Sequence, residues 1–116
     1  MDIRRIDLGK RLTRAVVHGD TVYLAGLTAD DLSQDVTGQT RQILAKIDHY
    51  LKEAGTDKSR LLTAQIWLRD IAAFDQMNAA WDGWVDPANT PARATVESRL
   101  AGDKYLVEIM ATAALR

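Results

Sequence analysis

The stretch TGQTRQILAKIDHYLKEAGTDKSRLLTAQIWLR, residues 37–69, decides the fold because its hydrophobic spacing changes once along its length. Its first part places apolar residues three and four positions apart. This spacing predicts an amphipathic helix that begins after Asp35 or Thr37 and ends at Gly55. Its last part, Leu61 to Arg69, alternates apolar and polar residues, which is the pattern of a strand. One face of that strand is predicted to carry Leu62, Ala64, Ile66 and Leu68.

Upstream, two apolar runs predict a β-hairpin. They are Ala15–Val17 and Val22–Ala25, and the residues His18–Thr21 between them are typical of a tight turn. A short additional strand is expected at Ile3–Leu8.

Downstream, Asp70 is expected to cap a second helix, which Pro87 stops. The tail predicts two further strands, Ala92–Leu100 and Tyr105–Leu115. The four residues 101–104 are predicted to join them as a hairpin. The apolar stripe of the second helix is predicted to contain Phe74, Met77, Asn78, Trp81 and Val85.

Together these elements predict an α+β fold, with a mixed sheet of five or six strands and two helices on one of its faces. Right-handed crossovers between parallel strands place helices on the same side. At this length we expect a single domain, residues 1–116. The uncovered face is predicted to carry Trp67, Leu106 and Met110, an apolar patch that favours a homo-oligomer.

The composition excludes several classes of function. Lys and Arg number 15 against 16 Asp and Glu, so the formal net charge is -1 and no basic cluster is available for nucleic acid or an anionic membrane. The absence of cysteine excludes disulfides, thiolate metal sites and a cysteine nucleophile. The apolar runs are too short to span a bilayer and the N-terminus has no signal-like core, so we expect a cytoplasmic protein.

Arg93 is the first candidate functional residue. It follows Pro91 at the start of a predicted strand, on the same face as Thr95, Glu97 and Arg99. Its guanidinium can present paired donors to a carboxylate. The alternative is a surface salt bridge to Glu97 or Glu108.

Glu108 is the second candidate, because it interrupts the otherwise apolar run Tyr105–Ala111. A buried carboxylate needs a partner or a raised pKa, whereas a carboxylate at a sheet edge or an interface needs neither.

Gly26 allows a backbone N–H to approach a ligand, or simply ends its strand. His18 and His49 lack neighbours at the spacing of metal ligands.

The motif PARATVESRL at residues 91–100, followed by Val107–Ile109, resembles the signature of the YjgF/Rid family of reactive intermediate deaminases. The resemblance extends along nearly the whole chain and is strongest to the short YoaB-like branch of the family. Its other matching segments are Val22–Gly26, Gln39–Leu44, Phe74–Asn78 and Ala80–Val85.

This resemblance implies a chorismate-mutase-like fold assembled as a homotrimer, with clefts between the subunits. It also implies a 2-iminobutanoate/2-iminopropanoate deaminase-type hydrolase, which converts reactive enamines and imines to 2-keto acids and ammonia without metal or organic cofactor. Arg93 would bind the substrate carboxylate with the backbone N–H groups of Gly26 and Thr95, and Glu108 would deprotonate the attacking water.

The resemblance is incomplete at two positions. Leu12 and Ala25 stand where better-known members of the family have a tyrosine and a serine. Loss of these hydroxyls leaves open a second hypothesis, a non-catalytic protein that binds small carboxylates. A third hypothesis, ribonuclease activity, is disfavoured because phosphate contacts normally require clustered Lys and Arg.

Overall fold

The computed structural model describes residues 1–116 and contains one six-stranded sheet and two α-helices. Two short 3-10 turns, Lys58–Arg60 and Ile71–Ala73, precede the fourth strand and the second helix. In chain order the elements are β1 Ile3–Leu8, β2 Thr13–His18, β3 Thr21–Leu24, α1 Val36–Ala54, β4 Leu61–Leu68, α2 Phe74–Asp82, β5 Ala92–Glu97 and β6 Val107–Ala114.

The strands lie in the order β1-β2-β3-β6-β4-β5, and only the β4–β5 pair is parallel. Because β3 and β4 both run antiparallel to β6, they are parallel to each other. Each helix therefore belongs to a crossover between parallel strands, and right-handed crossovers place both helices on the same face. The predicted α+β fold, with a six-stranded mixed sheet covered on one face, is confirmed.

Helix α1 has the predicted ends. The Asp35 carboxylate accepts a hydrogen bond from the Gly38 N–H at 2.8 Å, which satisfies one free donor of the first turn. Gly55 has a φ of 95° and its N–H bonds to carbonyls of the last turn. Neither helix of the chain is long and apolar enough to cross a membrane. The buried residues of α1 are Val36, Gln39, Thr40, Ile43, Leu44, Ile47, Leu51 and Ala54.

We call the sheet face packed against the helices the inner face and the opposite one the open face. Alternate residues of each central strand are buried on the inner face, where they form the core with α1 and α2. The open face exposes Tyr23, Val96 and Met110, each between 43% and 47% accessible. The inner-face residues of the three central strands are Val22, Leu24, Ala64, Ile66, Leu68, Val107, Ile109, Ala111 and Ala113.

The predicted hairpin of the last two strands is wrong. Strand β4 lies between β5 and β6 and pairs with both of them. The apolar β6 occupies the centre of the sheet, whereas β5, which contains Arg93 and Glu97, forms an edge, where charged residues are better tolerated. Both strands are also shorter than predicted, and nine residues, 98–106, connect them.

Three smaller predictions also need correction. Leu62 is exposed because the pairing of β4 with β6 shifts register between Leu61 and Thr63. Leu106 lies outside β6 and packs against the core, so it is not on the open face. Helix α2 ends at Asp82, before Pro87, and Asp70 caps the 3-10 turn that precedes it.

Trp84, two residues beyond the end of α2, connects the two helices. It packs against Trp81 and donates its indole N–H to Asp48 of α1 at 2.9 Å. The N–H groups of Trp84 and Val85 still bond to the Trp81 carbonyl, at 3.0 and 2.9 Å, in a last turn that follows the helix.

A fully buried polar side chain, Gln39, connects α1 to the segment that leads into β6. Its amide group donates to the carbonyls of Gln34 and Lys104 at 3.1 and 3.0 Å. Its carbonyl accepts the Leu106 N–H at 3.0 Å. Gln39 thereby satisfies partly buried backbone groups that have no partner in the sheet.

Replacement of Gln39 by Leu should therefore destabilise the protein. The change keeps the side-chain volume but leaves the Leu106 N–H and two carbonyls without a partner, at a cost of about 2 kcal/mol or more in the free energy of unfolding. Urea unfolding would measure this loss. The matched control is Gln76→Leu at an exposed position of α2, which should change stability by less than about 0.5 kcal/mol. Equal stability of the two variants would contradict the assigned role.

Candidate functional site

Arg93 lies on the edge strand β5 and points to the inner face. It is in register with Ala64 of β4, whose side chain is buried on that face. Beyond the end of the core, the Arg93 side chain reaches α2 instead of solvent. The β4–β5 pairing therefore determines that the guanidinium meets the second helix.

Three side chains of α2 hold the guanidinium in place. Its Nη1 group donates to Asn78 Oδ1 at 2.8 Å. The guanidinium carbon lies 5.1 Å from the Trp81 ring centroid and 5.8 Å from that of Phe74, within the range of cation–π contact. Burial lowers the pKa of Arg93, and the negative charge of Asp82 opposes this shift. The side chain is thus oriented while its remaining N–H donors stay available.

Beside the guanidinium, next to α2, lies a cavity of ≈ 310 Å³. We call this cavity the Arg93 pocket. It brings together one guanidinium, one carboxylate and one amide within a space the size of a small metabolite. Its lining residues are Asn78, Trp81, Asp82, Thr90, Pro91 and Arg93.

Thr95 lies two residues beyond Arg93 and, by strand alternation, on the same inner face. Its hydroxyl oxygen is buried and has no hydrogen-bond partner within the chain. Such a group is costly in a folded protein unless water or a ligand satisfies it. Arg93 and Thr95 thus lie on the same face of β5, as strand alternation predicts.

Glu108 lies on the open face of β6, opposite Trp67 of β4. The backbone at Gly26 lies directly against the Glu108 carboxylate: a Cβ atom at Gly26 would come within 2.3 Å of Glu108 Oε2. Leu27, the next residue, exchanges backbone hydrogen bonds with Ile109 at 2.8 and 3.1 Å, and this bridge fixes the approach. Gly26 is needed here because any side chain would displace the carboxylate.

The four predicted site residues thus form two pairs on opposite faces of the sheet. Arg93 and Thr95 are on the inner face, and Gly26 and Glu108 are on the open face. A single chain does not bring the guanidinium and the Glu108 carboxylate together. Neither of the salt bridges considered for Arg93 forms, and Glu97 instead accepts the Ile71 N–H at 3.1 Å.

Sequence reasoning missed three residues around Arg93: Phe74, Trp81 and Asp82. Phe74, Asn78 and Trp81 follow the four- and three-residue spacing of one helix face, which the sequence predicts only as an apolar stripe. In the structure Asn78, on this stripe, accepts a hydrogen bond from the guanidinium. Only the pairing of β5 with β4 reveals that this helix face meets an arginine.

The two positions that depart from the family pattern contribute no hydroxyl to either pair. Leu12 is 47% exposed and lies between β1 and β2. Ala25 donates its backbone N–H to the Arg14 carbonyl at 2.8 Å, next to Gly26.

Comparisons with known proteins agree with this architecture. Residues 3–115 match the model of a family described as endoribonuclease L-PSP. The RutC family protein YoaB of Escherichia coli is 42% identical over 115 residues, covering 99% of this chain and all of that protein. A crystal structure of a YjgF-family protein from Neisseria meningitidis is 41% identical, with a TM-score of 0.97 and coverage of 100% and 97% of the two chains.

A more distant relative has a name that states an activity. The chloroplastic Reactive Intermediate Deaminase A of Arabidopsis thaliana is 31% identical over 91 residues, which cover 73% of this chain and 48% of that protein.

Replacement of Gly26 by Ala tests the contact between Gly26 and Glu108. The new methyl group should push the carboxylate away by about 1 Å, since apolar atoms do not approach closer than van der Waals contact. Because the end of the Glu108 side chain is flexible, stability should fall by less than about 1 kcal/mol. A crystal structure and thermal unfolding of the variant would measure both effects.

Gly83→Ala is the matched control, because a Cβ there meets no atom closer than 3.8 Å and the backbone is helical. This variant should be as stable as the parent protein or slightly more stable. An unmoved Glu108 carboxylate in Gly26→Ala would show that the glycine is not required for its position.

Proposed function

The chain belongs to the endoribonuclease L-PSP family, which includes the RutC and YjgF proteins, and we propose that it hydrolyses reactive 2-imino acids to 2-keto acids and ammonia. The observation that carries the proposal is the oriented guanidinium of Arg93, which Asn78 and two aromatic rings hold with donors free for a carboxylate. The name of the plant relative supports the same reaction.

The chemistry needs few protein groups because the imine carbon is already an electrophile. Arg93 binds the substrate carboxylate through paired N–H donors and so fixes the position of the imine carbon. Enamine substrates enter the reaction after they tautomerise to the imine.

Glu108 acts as the general base in this proposal. Its carboxylate takes a proton from water as the water oxygen bonds to the carbon of the protonated imine and the C=N π pair moves to nitrogen. The proton is then delivered to the nitrogen of the tetrahedral intermediate. The C–N bond breaks and its electron pair leaves with ammonia, while the hydroxyl proton passes to Glu108 and the O–H pair forms the C=O bond of the 2-keto acid. No group is oxidised or reduced.

Because Arg93 and Glu108 lie on opposite sheet faces, the proposed site needs residues from two copies of the chain. The exposed apolar side chains of the open face, Tyr23, Val96 and Met110, favour an assembly that covers this face. We propose a homotrimer with one cleft at each interface, each cleft taking Arg93 from one copy and Glu108 from the next.

Single substitutions at the two charged residues should separate binding from proton transfer. Arg93→Ala should lower kcat/KM for 2-iminobutyrate by about 10- to 100-fold, since a charged hydrogen bond to the carboxylate is lost. Glu108→Gln should lower kcat by about 100-fold or more while KM changes little. The 2-iminobutyrate is generated in a coupled assay, and its disappearance is compared with the spontaneous rate.

Arg99→Ala is the control for Arg93, because Arg99 is an exposed arginine on the same segment, and it should retain full activity.

Wild-type protein that binds 2-oxobutyrate but never exceeds the spontaneous rate would favour a non-catalytic carboxylate-binding protein. RNA cleavage lost together with Arg93 would favour the ribonuclease alternative, although the net charge of -1 argues against phosphate binding.

Mixing the two inactive variants tests the shared site directly. When Arg93→Ala and Glu108→Gln chains are dissociated, combined in equal amounts and reassembled, random trimers should regain about a quarter of the wild-type activity, because one interface in four pairs two intact residues. Each variant treated alone is the control. Failure to recover activity, in samples whose mass is three times the 12.9 kDa of one chain, would contradict a site shared between copies.

A further inference from the structure

The Arg93 pocket contains two opposite charges that are not paired with each other. Asp82 and Arg93 both line this cavity of ≈ 310 Å³. The ion pairs of the chain are Lys46–Asp30 and Arg116–Asp20, so Asp82 and Arg93 stand further apart than a direct salt bridge. A small ligand with one negative and one positive group fits between them better than a simple carboxylate does.

The position of Asp82 is unfavourable for folding, which points to a use other than stability. It is the last residue of α2, where the partial negative charge of the helix end disfavours a carboxylate. The side chain is exposed and forms no hydrogen bond or salt bridge within the chain, so only the longer-range attraction of the Arg93 charge offsets this placement. Residues whose charge is unfavourable for local structure, such as a carboxylate at the C-terminal end of a helix, are most often found at functional sites.

We propose that Asp82 is a specificity-determining residue that binds the protonated nitrogen of an α-imino or α-amino acid whose carboxylate is held by Arg93. The inference rests on the proposed function for the identity of the carboxylate-binding group and extends it to the nitrogen. In these acids the nitrogen and the carboxylate are attached to adjacent carbons. One small pocket with a cation at one side and an anion at the other can therefore contact both groups.

The same arrangement favours release of the product. Hydrolysis replaces the nitrogen by a neutral carbonyl oxygen, so a 2-keto acid keeps its attraction to Arg93 but loses its attraction to Asp82. The Asp82 carboxylate then repels the product carboxylate. Asp82 thus distinguishes substrate from product by charge, while the rest of the two molecules is nearly identical.

Two stable compounds serve as probes: 2-aminobutyrate, with both charges, and 2-oxobutyrate, with the carboxylate alone. Isothermal titration calorimetry of the assembled protein measures both affinities for the wild type and for Asp82→Asn, which has nearly the same shape. Asp82→Asn should bind 2-aminobutyrate about fivefold more weakly, as expected for a partly exposed ion pair, and should bind 2-oxobutyrate equally or more tightly. The fivefold difference should shrink as salt is added.

Asp75→Asn is the matched control, because it removes one exposed carboxylate from the first turn of the same helix, outside the pocket. Asp75→Asn should bind 2-aminobutyrate and 2-oxobutyrate with the same affinities as the wild type. Arg93→Ala should bind neither compound. Thermal unfolding should show Asp82→Asn to be at least as stable as the wild type, so a weaker affinity is not a folding defect.

The outcomes separate this inference from the proposed function. Unchanged affinities in Asp82→Asn overturn the role of Asp82, even if the protein hydrolyses imines. Loss of 2-aminobutyrate affinity in Asp82→Asn, in a protein without imine hydrolysis, overturns the proposed function and leaves an amino-acid-binding pocket. Wild-type protein that binds neither probe overturns the inference.

Discussion

The pairing of Ile66 in β4 with Ile109 in β6, at the centre of the sheet, fixes the register on which both halves of the candidate site depend. Both side chains are fully buried on the inner face, so a slip of one residue would turn every apolar side chain of a central strand toward solvent. With this register, Glu108 must point to the open face. Because β5 is in register with β4, Arg93 must point to the inner one.

The dependence on this register also explains which parts of the fold could be predicted from the sequence and which could not. The hairpin of β2 and β3 and the caps of α1 depend on neighbouring residues, and local patterns predicted them correctly. The position of β5 depends on a crossover that places β4 between the last two strands, and no local pattern contains this information. Sequence reasoning therefore paired β5 with the wrong strand, although it identified both as strands.

The same limit applies to the candidate site: its main residues could be recognised in the sequence, whereas their arrangement could not. Arg93 and Glu108 were singled out because an arginine after Pro91 and a carboxylate within an apolar strand are chemically unusual. Their placement on opposite faces follows only from the pairing with β4 and β6. Asp82 resembled any exposed acidic residue, since its significance comes from the guanidinium across the pocket and not from its neighbours in sequence.

The groups that surround Arg93 indicate what kind of recognition this fold can supply. Leu12 and Ala25 offer no hydroxyl, and the polar side chains that line the Arg93 pocket are mostly charged or amide groups, Arg93, Asp82 and Asn78, beside the hydroxyl of Thr90. Charges recognise a carboxylate and a nitrogen regardless of the hydrocarbon chain attached to them, whereas hydrogen-bonding hydroxyls discriminate by geometry. Under the proposed function, such a site accepts imino acids with different side chains. Breadth of this kind suits hydrolysis of reactive intermediates, because what they share is the imino acid group itself.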